Sequence, residues 1–194
     1  TVRDKYGSDL NLIAGNVATL EGFNDLADWG ADAIRIGIGG GSICSTRIQT
    51  GHGIPTLQSI IDCSISDRSA KLIADGGIKN SGDIVKALAA GADFVMIGSL
   101  LAGTTEAPGE VIYDTAGNSY KTYRGMASRE AQTDWRGRTA SVEGISTVVP
   151  TKGPVGAVLD KLSLGIRSGF SYTGARNMKE LHIKAKFMKQ TASG

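Results

Sequence analysis

Four short, almost wholly apolar runs recur along the chain: LNLIAGN (10–16), AIRIGIG (33–39), KLIADGG (71–77) and FVMIGS (94–99). Runs of this length without polar alternation are the pattern of parallel strands covered on both faces. Each closes on glycine or small polar residues. Between them the apolar positions shift to a helical spacing. In TLEGFNDLADWG, Leu20, Phe23, Leu26 and Ala27 share one face, Thr19 is the expected N-cap and Gly30 the stop. Pro55 opens a second helix with Leu57, Ile60 and Ile61 inward. NSGDIVKALAAGA places Ser81 at an N-cap, Ile84, Val85 and Leu88 on the buried face and Gly91 at the end. A fourth helix carries Val155, Val158, Leu159 and Leu162, and a last one covers roughly 177–188.

Strand and helix in alternation predict an α/β fold with a parallel sheet and right-handed crossovers. A doubly wound sheet and a (β/α)8 barrel both fit the local pattern. Both bind ligands at the C-terminal ends of their strands, where the glycine-rich stretches fall. Four such units are half of a (β/α)8 barrel, and a half standing alone would expose two sheet edges. After residue 99 the rhythm breaks. GEVIYDTAGNSYKTYRGM reads as a hairpin, with Val111 and Tyr113 on one arm, Tyr120 and Thr122 on the other and TAGN at the turn. ASREAQTDWRGRTASVEG is polar, shows little periodicity and reads as a lid. Hairpin and flap together take residues 110–153 of a single domain spanning 1–194.

Composition narrows the setting. Hydrophobic residues make up 41% and charged residues 21%, as in a globular domain large enough for its own core. Net charge is +2 with no basic run, so nucleic acid is not an expected partner. No apolar stretch is long enough to span a bilayer, and no membrane partner is expected. Two cysteines make neither a disulfide framework nor a zinc site, which points to a reducing, cytoplasmic location. The chain opens on Thr1, a few residues before its first strand, as expected of an excised or incomplete sequence. Glycine, at 27 of 194 residues, is about twice its usual share and implies loops where backbone meets ligand.

Three strand-end stretches carry candidate chemistry: GGGSICST with Cys44, ADGG with Asp75, and IGS with Gly98 and Ser99. In barrels of this type, backbone N–H groups after the last two strands hold a phosphate. Gly77, Gly98 and Ser99 are placed for that, aided by the Ser42 hydroxyl. An ionised Asp75 is acceptor-only and suits a pair of ribose hydroxyls. A nucleotide so held would turn its base toward Cys44. That thiol needs a donor or dipole to become a nucleophile, and the glycine amides and Thr46 are at hand. Each feature also has a plain reading: Cys44 as filler, Gly76-Gly77 as a turn, Asp75 as a helix cap, Glu143 as a solvated charge. Cys63 lies on a helical face and reads as core; His52 and His182 read as surface residues.

Taken together, GIGGGSICSTR, IADGGIKNSGDIVKALAAGADFVMIGSLLAGTTEAPGE and KTYRGMAS resemble the IMP dehydrogenase/GMP reductase family over nearly the whole chain. The resemblance implies a TIM barrel, usually tetrameric, of which this chain is the C-terminal half. The first four strands and part of the dinucleotide site would then lie outside it. It makes Cys44 the covalent nucleophile at purine C2, with Thr46 assisting the leaving or attacking group and Glu143 contacting the purine edge or handling protons. Ser42, Gly77, Gly98, Ser99 and Tyr123 would hold the phosphate of a purine nucleoside monophosphate and Asp75 its ribose, while Gly125 and Met126 would border the base. In the dehydrogenase type, K⁺ binds loop carbonyls that correspond to Gly39, Gly41 and Cys44.

Two reactions share the cysteine adduct. The dehydrogenase oxidises IMP with NAD and hydrolyses the adduct to XMP, using an Arg-Tyr pair on a long flap to activate water. The reductase displaces ammonia from GMP and receives hydride from NADPH to give IMP. Here only sixteen residues separate Met126 from Glu143, and they hold Arg129, Arg136 and Arg138 but no Arg-Tyr pair. The tail from Gly165 also resembles reductases, whereas TEAPGE and YRGM resemble dehydrogenases. The balance favours GMP reductase, with IMP dehydrogenase as the alternative. A different class also fits the missing first half: a non-catalytic half-barrel that needs a complementing N-terminal partner chain.

Overall fold

The computed structural model describes residues 2–139 and 143–191. A short helix α1 (Val2–Tyr6) leads into β1 (Ile13–Val17), α2 (Leu20–Asp28) and β2 (Ala33–Ile36). Helices α3 (Thr46–Thr50) and α4 (Thr56–Cys63) follow, then β3 (Lys71–Asp75), α5 (Ser81–Ala89) and β4 (Phe94–Met96). The four strands form one parallel sheet in the order β1-β2-β3-β4. The apolar runs predict these parallel strands, and four βα units in this order are the half of a TIM barrel that the family resemblance implies. Strands β2, β3 and β4 are shorter than their apolar runs, because the glycine-containing ends leave the ladder and become loop; β1 instead starts three residues late and keeps Gly15 within the strand.

The pleat sends alternate side chains to opposite faces. Ile34, Ile36, Leu72 and Ala74 pack with Phe23 of α2, Ile60 and Cys63 of α4 and Ala87 of α5 in the main core. The opposite face carries Arg35, Ile73 and Asp75, together with Ile13, Phe94 and Met96. Of these, Ile13 and Phe94 are more than half exposed. Beyond β4 the chain builds an antiparallel sheet of β5 (Val111–Tyr113), β6 (Ser119–Arg124) and β7 (Ser146–Pro150). The hairpin register pairs Val111 with Lys121 and Tyr113 with Ser119. Lys121 is buried and donates to the carbonyls of Thr104, Thr105 and Ala107 at 3.1, 3.0 and 2.7 Å. It thereby ties the hairpin to the loop that leaves the barrel sheet. The chain closes with α7 (Val155–Thr173) and α8 (Met178–Lys184).

Several local expectations shift. The α5 cap is Asn80, whose Oδ1 accepts the Asp83 N–H at 2.9 Å from an extended backbone; Ser81 is the first helical residue. Ile61 and Leu159 turn outward. In α4 the buried face is centred on Ser59, Ile60 and Cys63. In α7, Gly165 and Gly169 let the helix approach α5 so closely that a Cβ would lie 2.1 Å from Ser81 Oγ and 2.6 Å from Val85 Cγ2. That contact sets the rotation of α7, with Leu162 inward and Leu159 outward. The last helix ends at Lys184, short of the expected 188. The polar flap is no simple loop: it contains α6 (Arg129–Arg136), capped by Ser128 and ended by Gly137, and its far side returns as β7. Residues 140–142 of that flap lie outside the described residues. No helix among the described residues is long and apolar enough to cross a membrane.

Candidate active site

The loop between β2 and α3 carries Cys44, half-buried, and α3 begins two residues later at Thr46. Cys44 Sγ lies 3.1 Å from Thr46 Oγ1, and Thr46 Oγ1 lies 2.7 Å from Glu143 Oε2. A threonine hydroxyl has one proton. Donated to Glu143, it leaves the Thr46 oxygen as acceptor for the Cys44 S–H. Thiol, hydroxyl and carboxylate thus form a directed series in which a proton leaving sulfur can be handed on to Glu143.

Glu143 reaches this position because its backbone is stitched to the cysteine loop. Ser45 N donates to Glu143 O at 2.8 Å and Ile145 N to Ile43 O at 3.3 Å. Gly144 sits between them, bridged to Cys44 on one side and to Ser128 on the other. A Cβ at position 144 would fall 2.4 Å from Ser128 N and 2.5 Å from Ala127 C, so the close approach requires glycine. Gly125 joins the same junction: its N–H donates to Ile145 O at 3.2 Å, and a Cβ there would lie 3.4 Å from Ile43 Cδ1. Met126, next along, is exposed.

The ADGG turn lies against the cysteine loop backbone to backbone. A Cβ on Gly76, which has φ +92°, would stand 3.0 Å from Gly40 C and 3.1 Å from Gly41 N; Gly77 follows it, open to the surface. Gly41 O accepts the Cys44 N–H at 3.1 Å, which makes the glycine loop a tight turn. Gly39, at φ +79°, lies beside the Arg47 side chain. Asp75 does not cap the next helix. Its Oδ2 accepts from Asn16 Nδ2 at 2.8 Å and from Arg35 Nη2 at 2.7 Å. Arg35 and Asn16 are absent from the expected site, although their strand-end positions beside Asp75 in the parallel order mark them. Arg35 Nε is buried with no partner among the described residues.

The expected phosphate set comes from four stretches of the chain. Gly77 lies beside Gly40, whereas Gly98 lies beside Tyr123, whose hydroxyl would be 3.0 Å from a Cβ at 98. Ser42 is exposed in the cysteine loop. Ser99 enters a turn in which Leu101 N and Ala102 N both donate to Gly98 O, and its own carbonyl accepts from Lys152. A cleft of about 970 Å³ takes in Gly98, Tyr123 and Met126 but not Cys44. It runs under α6, between the hairpin and the loop from Leu101 to Gly109.

The fold and site together define an α/β protein with a parallel four-stranded sheet and a thiol, a hydroxyl and a carboxylate in hydrogen-bond series at its strand ends. The family model described as "IMP dehydrogenase / GMP reductase domain" matches residues 1–194. Inosine-5'-monophosphate dehydrogenase of Aquifex aeolicus is 51% identical over 197 residues, covering 96% of this chain and 40% of that protein. GMP reductase of Leishmania major is 43% identical, covering 95% of this chain and 40% of that protein. Among solved structures, a cysteine-to-alanine variant of GMP reductase from Trypanosoma brucei, in complex with guanosine 5'-monophosphate, superposes with a TM-score of 0.91. It is 41% identical and covers 96% of this chain and 40% of that one. The chain belongs to the IMP dehydrogenase/GMP reductase family. It spans about 40% of the length of the relatives cited.

Proposed function

We propose that this chain carries the nucleophilic half of a purine nucleotide oxidoreductase acting at purine C2, and that the enzyme is a GMP reductase. The observation that carries the C2 chemistry is the series Cys44–Thr46–Glu143. Cys44 sulfur bonds to C2 of GMP while its proton passes through Thr46 Oγ1 to Glu143. Glu143 then protonates the departing 2-amino group, which leaves as ammonia. Splitting the exchange into two steps in this way is the use of a covalent nucleophile. NADPH, when bound, supplies the hydride that takes the vacated place at C2. Cys44 then departs as thiolate and recovers a proton, leaving IMP.

Asp75, held by Asn16 and Arg35, accepts from the ribose hydroxyls; Gly125 and Met126 border the base. Ser42, Gly77, Gly98, Ser99 and Tyr123 hold the phosphate. The unpartnered Arg35 Nε fits an acceptor atom of a ligand at the strand ends, nucleotide or cofactor. Carbonyl oxygens of Gly39, Gly41 and Cys44 would hold K⁺, a cation suited to carbonyl donors. Gly41 O already accepts one hydrogen bond, so further oxygens would come from outside the loop. We place the enzyme in the cytoplasm as a homotetramer whose remaining four barrel strands complete the β1 and β4 edges.

The reductase reading rests on the interval from Met126 to Glu143, which has no Arg-Tyr pair to activate water. A second reading, IMP dehydrogenase, has in its favour the 51% identity to the Aquifex enzyme. Absorbance at 340 nm with the full-length protein separates them. GMP with NADPH should lose absorbance; a gain with IMP and NAD, and no loss with GMP, would establish the dehydrogenase instead. Cys44→Ala should abolish turnover and keep nucleotide binding.

A further inference from the structure

The five residues assigned to the phosphate include no cationic side chain. One reaches the same turn from the segment after β7. Lys152 Nζ donates to Ser99 O at 2.6 Å and to Leu100 O at 3.2 Å. In a trans peptide the N–H points away from the C=O. These two bonds therefore aim the N–H groups of Leu100 and Leu101 away from the ammonium, and Leu101 N closes the turn on Gly98 O at 2.9 Å. The Lys152 side chain is exposed, but the backbone that carries it is held firmly. Its own N–H donates to Gly103 O at 2.8 Å, Thr105 N donates to Gly153 O at 2.8 Å, and Val155 N donates to Glu106 Oε2 at 2.8 Å. Gly103 lies so near Pro150 that a Cβ would stand 2.3 Å from the proline carbonyl. Hydrogen bonds from an ammonium are roughly twice as strong as neutral ones, so the two peptide planes are fixed more firmly than the turn alone would fix them.

We propose that Lys152 is a positioning residue for the substrate phosphate: it fixes the Ser99 and Leu100 peptides and sets a positive charge behind the turn, so that the turn selects a phosphate dianion. This rests on the mononucleotide reading above. A lysine that merely braces two loops would affect every ligand alike, whereas the proposed role is confined to the phosphate.

The test is a binding titration of the full-length protein with GMP and with guanosine. Wild type should prefer GMP by tenfold or more. Lys152→Met should reduce that preference about tenfold while leaving guanosine affinity within about twofold. Lys152→Arg should restore most of the preference. If Lys152→Met melts early, Lys152→Gln, which keeps a donor but no charge, takes its place with the same expected loss. An unchanged preference in the neutral variant, or equal weakening of both ligands, overturns the role of Lys152. A wild type that binds GMP and guanosine equally overturns the mononucleotide reading itself, and the role of Lys152 with it.

Discussion

Adding one methyl group at Gly144 should uncouple the carboxylate from the thiol without touching either. The new Cβ would be 2.4 Å from Ser128 N, 2.5 Å from Ala127 C and 3.0 Å from Ala127 O. All three are backbone atoms, and Ser128 is fully buried where it caps α6, so neither side yields easily. Ordinary contact between such atoms begins near 3.4 Å, so residue 144 must retreat by about 1 Å. Glu143 is its neighbour in the chain, and its 2.7 Å bond to Thr46 has no slack for that movement. A displacement of about 1 Å at a reacting group costs on the order of 100-fold in rate. Overpacking at one site costs about 1–3 kcal/mol of stability, small enough to leave the protein folded. The assay is kcat for GMP reduction followed at 340 nm, with a melting curve and a GMP titration on the same Gly144→Ala sample. Loss of kcat with retained GMP affinity and a modest melting shift is the expected result. Wild-type kcat in a folded Gly144→Ala protein would refute the claim that Glu143 must be held against Thr46.

Thr46→Val keeps the shape and removes the relay, so kcat should fall by roughly 10²–10⁴. Adding Glu143→Gln to it should cost little more, because the two act as one path; additive losses in the double variant would show that they act separately. Cys63 provides a pH test. Burial pushes its thiol up to about 11 from 9.0, with the Asp62 charge a lesser cause. The unfolded thiol then ionises first, so its contribution to stability is intact below pH 9 and is lost as pH rises from 9 toward 11. Melting temperatures across that range should fall less steeply in Cys63→Ala than in wild type, and parallel curves would contradict the assignment.

The parallel strands and the strand-end glycines were legible because buried parallel strands leave unbroken apolar runs; their spatial order was not, because apolar runs alone fit a doubly wound sheet as well as a barrel. Thr19 and Pro55 were readable at their helix starts for local reasons: each acts through its own backbone or the next turn. What escaped depends on partners far away in the chain. Helix α6 has a single-turn signal, Ser128 ahead of Ala131 and Trp135, inside a segment too polar to read as amphipathic. Strand β7 is defined by its register with β6, Tyr123 against Thr147 and Arg124 against Ser146, not by any strong alternation of its own. The pairing of Glu143 with Thr46 spans 97 residues and no spacing announces it; the family resemblance pointed to both residues but not to the contact between them. Arg35 was hidden because a single charged residue in an apolar strand looks like an interruption; only the parallel register with β3 turns it toward Asp75. Leu159 misled because helical spacing cannot foresee that Gly165 and Gly169, not the leucines, set the α7 contact.

The sulfur–purine bond itself is the most direct test. Full-length protein turning over GMP and NADPH should be quenched in acid, digested and weighed by mass spectrometry. A nucleotide-sized mass increase confined to the peptide bearing Cys44, absent from Cys44→Ala and from the Cys63 peptide, is the expected result. Sustained turnover with an unmodified Cys44 peptide at every quench time, or with the nucleotide attached elsewhere, would contradict it.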